Sequence, residues 1–457
     1  MKNKSNSTKN KVIRIAVTGT VVLTMTFAAF ILPLRPKVSE AEKRELAKFP
    51  EFSVTALLSG TYFSDIASWF SDTVPFRDTL VAINSKFQHI LGTATVLKGF
   101  NEAKRGDDIP DVPNTSSDLP TSDGTSEVQT DSPAGIPSEI TSAPETQPQG
   151  EYAGLVQKFD SILVAGNSGY EYYNFNQAAS DAYVAAVNAA GNRLNGRAKV
   201  YSMIIPTSID ITLDERVRKK VNVSDQKKAI DYMEGSMNQN VVRVEIFDAL
   251  KAHKDEYIYF RTDHHWTGLG AYYAYVRFCE MKGIQALPLS AYTVRSFDNF
   301  LGSFYKDSGN DPALGASPDV VDTYTPPCGT KMTVTEKSGN TLVTPMIYNA
   351  TNNKPAYKYS AFIYGDNPFT VIENTDMTSG DALILVKESF GNAIAPLFTY
   401  HYKYVYVVDY RYYSGKLDAL VNTAKSTCGG NVDVLYCNNI SMTRASGQVT
   451  KLAAVLA

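Results

Sequence analysis

From Glu151 to the C-terminus, short apolar runs alternate with longer segments of helical spacing. That alternation constrains the fold more than any other feature. Apolar runs of about four to eight residues between turn residues read as buried strands. Strands separated by helices read as a mostly parallel sheet with helices on both faces, the α/β class. The predicted strands are Ser161–Gly166, Lys199–Pro206, Val241–Phe247, Ala382–Val386, Tyr404–Asp409 and Val432–Cys437. Gln177–Leu194, Gln226–Met237, Gly268–Met281 and Asn392–Phe398 are predicted helices. Residues 285–380 interrupt the pattern. They are rich in Pro, Gly, Asn, Asp, Thr and Tyr, and hold short extended pieces at Met332–Thr335 and Tyr357–Ile363. They read as a β-rich insertion next to the active face, with a lid, a substrate platform and a structural excursion all open.

The 457 residues suggest about two to four domains. Lys2, Lys4, Lys9, Lys11 and Arg14 precede an apolar run from Ile15 to Leu34. Its 20 residues suit one helical membrane crossing. The basic flank stays cytoplasmic, so residues 1–36 are expected to form a tail and single transmembrane anchor. The rest then lies outside the cell membrane. A cleaved signal peptide is the competing reading, but the run is long and no A-x-A site follows it. Residues 37–105 read as a helical juxtamembrane segment, with Phe63, Ile66, Ala67 and Phe70 on one face until Pro75 interrupts it. Residues 106–150 hold nine Asp or Glu, seven Pro and no Lys or Arg. Too few apolar residues are present to offset ordering entropy, so a disordered acidic linker without a binding role is expected. Residues 151–457 form the main domain.

The formal net charge of −3 gives no sign of nucleic-acid binding, which calls for a basic patch. The 28 Tyr and 21 Phe are read as sheet packing rather than a carbohydrate-facing surface. Cys279, Cys328, Cys428 and Cys437 show no CxxC spacing, which argues against a zinc or thioredoxin-type site. Cys428 and Cys437 flank a Gly-Gly turn, and their Cα separation decides whether they pair.

The chemistry concentrates in Phe260-Arg261-Thr262-Asp263-His264-His265-Trp266-Thr267. Tyr257–Phe260 is apolar and aromatic, so a strand is expected there. In extended geometry Asp263 and His265 point to one side and His264 to the other. Asp263 would then fix the tautomer of His265, the candidate base. Two adjacent histidines raise a metal site, but neither HExxH nor a second His cluster is present, and no metal is expected. Both histidines bonding backbone at a strand end is the bland alternative. Ser389 follows the Ala382–Val386 strand and precedes a helix. Open α/β sheets bind ligands at that edge, and N–H groups at a helix start stabilise an oxyanion. A plain helix N-cap is the competing reading for Ser389. Gly391 lets the chain approach closely.

Taken together, Thr262–Ala271 and Lys387-Glu388-Ser389-Phe390-Gly391-Asn392 resemble the DHHW protein family of Gram-positive bacteria. More distantly they are similar to the SGNH-hydrolase-like alginate O-acetyltransferases AlgX and AlgJ. Ser71–Asp78 resembles the N-terminal signature of these proteins. The resemblance covers roughly residues 151–457 and implies an SGNH-like domain. It implies Ser389 as nucleophile, His265 as base and Asp263 as orienting acid. It also implies acetyl transfer to a cell-wall or surface polysaccharide, without cofactor. A membrane-bound O-acyltransferase (MBOAT) is the implied acyl supplier. Glu388 departs from the residue that often precedes the serine, and no GxND-type block marks a second oxyanion donor. Trp266, His264 and Arg411 are candidate substrate-binding residues. Arg411 closes the Tyr404–Asp409 strand, where a salt bridge to Asp409 or Glu388 competes with a substrate anion. A serine esterase and a non-catalytic cell-envelope binding protein are the alternatives to the transferase.

Overall fold

The computed structural model describes residues 38–39, 44–45, 48–53, 62, 66, 69, 73, 106–111, 156–158 and 162–456. The expected anchor at Ile15–Leu34 lies outside them, and no helix among the described residues is long and apolar enough to cross a membrane. The chain divides into two units, Met1–Thr95 and Val96–Ala457. In the first, Val38–Ser39 pairs antiparallel with Arg44–Glu45. The rings of Phe49 and Trp69 meet edge to face at 4.8 Å. Tyr62, Ile66 and Trp69 are helical, whereas Phe63, Ala67 and Phe70 of the expected apolar face lie outside the described residues.

The second unit opens with β1 (Val156–Lys158), β2 (Ile162–Ala165) and β3 (Ser168–Glu171). These form an antiparallel sheet of their own. The expected strand at Ser161–Gly166 therefore exists but stands outside the main sheet. Its apolar run is followed by a two-residue turn at 166–167, and Ala165 pairs with Ser168. So short a connection makes a hairpin, because a parallel neighbour needs a crossover of a dozen residues or more.

The central sheet has eight strands. Five of them run parallel: β4 (Lys199–Ile205), β5 (Val241–Arg243), β11 (Gly380–Lys387), β12 (Tyr404–Asp409) and β13 (Gly429–Asn439). The insertion supplies three more, β8 (Thr330–Thr335), β9 (Thr341–Thr344) and β10 (Phe369–Asn374), all antiparallel. The order is β9-β8-β10-β12-β11-β13-β4-β5. The fold is mixed α/β, and the insertion widens the sheet rather than standing apart from it. Only β6 (Thr293–Phe300) and β7 (Asp319–Thr325) form a separate ribbon. Tyr357–Ile363 is not extended: residues Pro355–Ala361 form a 3-10 helix. Val241–Phe247 is a strand only to Arg243, and Phe247 already begins a short helix.

The parallel strands at the centre of the sheet are buried on both faces because they are largely apolar. Along β11, Ala382, Ile384 and Val386 face one core while Leu383 and Leu385 face the other, the two-residue period of a strand. One core is closed by α1 (Gln177–Leu194), α2 (Gln226–Gly235), α6 (Leu417–Cys428) and α7 (Ser446–Leu456). The other is closed by α4 (Gly268–Lys282) and α5 (Gly391–Phe398), with α3 (Phe247–Ala252) contributing Leu250. Each fully buried Leu or Ile contributes about 1.5–3 kcal/mol. Both long helices start on a side-chain cap: Asn176 caps α1 by accepting from Ala179 N–H at 3.0 Å, and Thr267 caps α4.

The acidic segment begins docked rather than free. Asp107 N–H donates to Phe175 O at 2.8 Å, and Asp107 Oδ2 accepts from Gln177 N–H at 2.9 Å. An acid at the first turn of α1 is favoured there by the helix dipole. Positions 112–150 lie outside the described residues. All four cysteines are free. Cys428 ends α6 and Cys437 lies near the far end of β13. At about 3.3 Å per strand residue they stand roughly 25 Å apart, far beyond disulfide reach.

Candidate active site

Three parallel strands end side by side, with Lys387 of β11 in register with Asp409 of β12 and Cys437 of β13. Ser389 sits in the turn just beyond, at the carboxyl edge of the sheet. The turn closes through Gly391 N–H to Glu388 O (2.9 Å) and Asn392 N–H to Ser389 O (3.1 Å). A Cβ on Gly391 would stand 2.4 Å from Lys387 Cβ, so glycine is required for the turn to fold this tightly. Ser389 does not cap α5. Its Oγ lies 2.7 Å from His265 Nε2.

The histidine arrives on a loop, not on a strand. Tyr259 and Trp266 form one antiparallel bridge, Phe260 N–H reaches His265 O (3.2 Å), and Thr267 N–H reaches Ile258 O (2.9 Å). Residues 261–265 form the tip of this tight loop. Asp319 holds the tip, accepting from Arg261 N–H (3.1 Å), Thr262 N–H (2.7 Å) and Thr262 Oγ1 (2.6 Å). Asp263 and His265 still meet, but through an Asx turn rather than strand alternation. Asp263 Oδ1 accepts from the His265 backbone N–H (3.1 Å) and lies 2.5 Å from His265 Nδ1. Its other oxygen accepts from Ser303 N–H at 2.8 Å. A Cβ on Gly302 would overlap this carboxylate, so only glycine lets the 302–303 backbone approach.

Ser389, His265 and Asp263 are 8%, 6% and 6% exposed. Burial pushes the Asp263 carboxyl up, but the charges of His265 and His264 and two hydrogen bonds outweigh it. The group is held well below the usual carboxylate range. Burial and the neighbouring His264 depress His265 against the pull of Asp263, leaving it at about 4. The imidazole is therefore neutral at pH 7. With Nδ1–H donated to Asp263, the lone pair of Nε2 faces the Ser389 hydroxyl. Tyr359 stacks on His265 at 4.0 Å between centroids and donates its hydroxyl to Ser389 O at 3.0 Å. His264 at 3.9 Å and Phe390 at 4.9 Å also pack against it, both tilted. The base is thus fixed by a carboxylate at one edge and aromatic rings on its faces.

The other candidates divide. His264 is half-buried, its Nδ1 2.7 Å from Ser303 Oγ. Trp266 is fully buried and donates Nε1–H to Phe390 O at 2.9 Å. It clamps the loop to the nucleophile turn and does not reach a substrate. Arg411 forks onto Asp409 at 2.8 and 2.6 Å and meets Asp366 at 3.0 Å. Its guanidinium is committed to these acids, the salt bridge that competed with substrate binding. Asp263, His264 and His265 offer ligand atoms within 4.8 Å of one another; Asp263 Oδ1, His264 Nδ1 and both ring nitrogens of His265 are engaged in hydrogen bonds. The amides after Ser389 are also occupied. Phe390 N–H donates to Glu388 Oε2 at 3.0 Å, and Gly391 and Asn392 close the turn. The oxyanion role expected of the helix start is therefore not filled by these three amides. Tyr359, Ser303, Asp319 and Asp366 were not foreseen, because all four lie in the insertion, where no periodicity marks them.

Scanned against protein families, the chain matches DHHW protein over residues 42–408. Its fold is similar to a DHHW family protein from Eubacterium siraeum, at 24% identity and a TM-score of 0.58, covering 66% of this chain and 98% of that one. Bacillus cereus PatB1 with a sulfonyl adduct follows at 18% identity and TM-score 0.51, covering 65% and 97%. The O-acetyltransferase domain of Pseudomonas putida AlgJ, at 12% identity and TM-score 0.33 over 64% and 98%, is too distant to bear on the site. No curated protein matches. With a family match that runs across most of its length, and with the Asp-His-His-Trp motif at the centre of its site, the chain belongs to the DHHW protein family.

Proposed function

We propose that the protein is a serine-dependent O-acyltransferase of the cell envelope. The observation that carries this reading is the continuous relay from Asp263 through His265 (2.5 Å) to Ser389 (2.7 Å). That is the arrangement that nucleophilic catalysis by a hydroxyl needs. His265 Nε2 takes the Ser389 proton, Oγ attacks the acyl carbonyl, and the donor's leaving group departs with that proton. An acceptor hydroxyl then gives its proton to His265 and takes the acyl group. Asp263 stabilises the imidazolium formed at each step. Acetyl is the acyl group and a cell-wall or surface polysaccharide the acceptor, as the sequence resemblance implies. In this reading the N-terminal apolar run anchors the protein, the domain faces outward, and an MBOAT protein supplies the acyl group.

The test is intact mass of the full chain after incubation with p-nitrophenyl acetate, with Ser389→Ala and His265→Ala alongside. An acetyl adduct in the wild type alone, discharged faster by glycan than by water, is the expected result. Discharge by water alone makes the protein an esterase. Absence of an adduct, together with failure of phenylmethanesulfonyl fluoride to label Ser389, sinks the catalytic reading in favour of a binding protein.

A further inference from the structure

Ile363, Tyr364 and Gly365 follow one another with φ of 45°, 64° and 79°. Isolated residues visit this left-handed region, but a β-branched side chain such as Ile363 is an outlier there. Strained backbone of this kind persists only where surrounding structure over-determines it, and it concentrates at functional sites. What this turn delivers is Asp366.

Asp366 Oδ1 accepts from Asn392 Nδ2 at 2.8 Å and lies 3.6 Å from Lys387 Nζ. Arg411 meets Oδ2 at 3.0 Å. Lys387 comes two residues before Ser389 and Asn392 three after it, so Asp366 grips both ends of the nucleophile's turn. The side chains of Lys387 and Asp409 below it are 0% exposed, whereas that of Asp366 is 30% exposed. Burial alone would raise its pKa, but Arg411 and Lys387 hold it ionised, well below the usual range. An ionised carboxylate has about four acceptor positions. Asn392 takes one on Oδ1, with Lys387 ion-paired beside it, and Arg411 one on Oδ2, so acceptor positions remain on a side chain that is part exposed.

We propose that Asp366 is the acceptor subsite, taking a hydrogen bond from one hydroxyl of a sugar diol while the neighbouring hydroxyl reaches His265. This rests on the acyl-transfer reading above. In the second half-reaction the neighbouring hydroxyl gives its proton to His265 Nε2 and its oxygen bonds the acyl carbon. The bond from that carbon to Ser389 Oγ breaks, and Oγ recovers the proton. No further reactant is required. The fixed negative charge also sets the acceptor's class. Neutral or amino sugars are accepted, and a sugar with a carboxylate or phosphate beside the attacked hydroxyl is repelled.

The experiment compares wild type, Asp366→Asn and Asp366→Glu. Each is acetylated with p-nitrophenyl acetate, and loss of the adduct is followed by intact mass in water and in chitotetraose. Because Asp366 also holds the nucleophile's turn, acylation and discharge to water fall together in Asp366→Asn, and the readout is the ratio of discharge in chitotetraose to discharge in water. That ratio falls by about tenfold or more, the loss of one hydrogen bond to a charged acceptor. An unchanged ratio, however far acylation falls, would make Asp366 a mere support of the turn and overturn the proposal. Should Asp366→Asn not fold, Asp366→Glu carries the same comparison with a displaced carboxylate. The wild-type arm stands apart. A wild type that forms no adduct, or one that water alone discharges, removes the transferase reading itself before any variant is considered.

Discussion

Two buried carboxyls in this domain behave in opposite ways. Asp263, 6% exposed, takes hydrogen bonds from the His265 ring, the His265 backbone and Ser303, and it is held as a carboxylate. Glu234 on α2, 4% exposed, has an Oε1 with no hydrogen-bond partner. Burial, then the charges of Glu245 and Asp231, push it up to about 8. Desolvation raises both groups alike. What separates them is neighbouring charge first and donors second: His265 and His264 stand beside Asp263, with N–H groups from a loop tip and an insertion, whereas Glu245 and Asp231 stand beside Glu234. Burial among acids makes a neutral acid, and burial against imidazoles and N–H donors makes a fixed charge able to steady an imidazolium.

The largest effect should come from stripping that fixed charge. Asp263→Asn keeps the size of the side chain but cannot hold His265 in the tautomer that presents a lone pair to Ser389. Acylation of Ser389 should fall by roughly 10³–10⁴-fold with the fold intact. The matching change in the other region, Glu234→Gln, should leave acylation unaltered. Burst kinetics with p-nitrophenyl acetate read both, and a loss of only a few fold in Asp263→Asn would break the distinction. In the wild type, acylation should stay flat from pH 7 to about 5. Below pH 4 it should fall about tenfold per unit, as His265, held at about 4, takes up a proton.

Stability should show the second difference. Folded Glu234 keeps its proton up to about pH 8, whereas the unfolded chain loses it near the ordinary value of 4.5. The native state therefore binds more protons between those values, and stability falls as pH rises through the window. At 1.36 kcal/mol per pKa unit, Glu234 removes on the order of 4 kcal/mol between pH 4.5 and 8. The pair at the site acts with the opposite sign. His265 and Asp263 both titrate below their ordinary values, so their contribution is lost as pH falls below the unfolded values. Denaturant melts of Glu234→Gln across pH 5–8 should lack the alkaline decline of the wild type. An identical decline in both would assign it to another group.

Trp266→Phe tests a single donor. Trp266 Nε1–H is bonded to Phe390 O inside the core, and its loss leaves a small cavity beside the nucleophile turn. The expected cost is about 1–3 kcal/mol in a denaturant melt. Because Phe390 also packs against His265, acylation should slow as well, and a stability loss with wild-type acylation would uncouple the clamp from the site.

How far each region can be read from sequence follows the same division. The parallel strands and the long helices were legible because burial imposes period: β12 and α1 occupy the predicted residues. The meeting of Asp263 and His265 was legible too, though for a different reason. Strand alternation predicted it, and an Asx turn two residues long produces it. Ser389 was marked by its position after an apolar strand. The insertion residues that complete the site were not legible. Ser303, Tyr359 and Asp366 lie 40, 96 and 103 positions after Asp263 in number, in a stretch whose strands join the sheet antiparallel. Nothing local tells a tyrosine that stacks on a histidine from one that packs in a sheet, as the misjudged Tyr357–Ile363 segment shows. Trp266 illustrates the converse, a motif residue whose work is to tie two loops together.

The smallest effect sharpens the comparison from the unpaired side. Lys227, with its side chain 39% exposed, lies 2.6 Å from Asp231 Oδ1, and its charge lowers the proton affinity of Glu234. Lys227→Met removes that charge and also uncovers Asp231, whose own charge raises Glu234. Both changes act in one direction, so the Glu234 midpoint should move upward. Solvent screening at so exposed a cation keeps the change below about 1 kcal/mol. A carboxyl-carbon NMR titration of Glu234 in the two proteins measures the shift directly. A midpoint that stays or moves down would mean that Glu234 is governed by some partner other than these, and that the charges beside it are not what distinguishes it from Asp263.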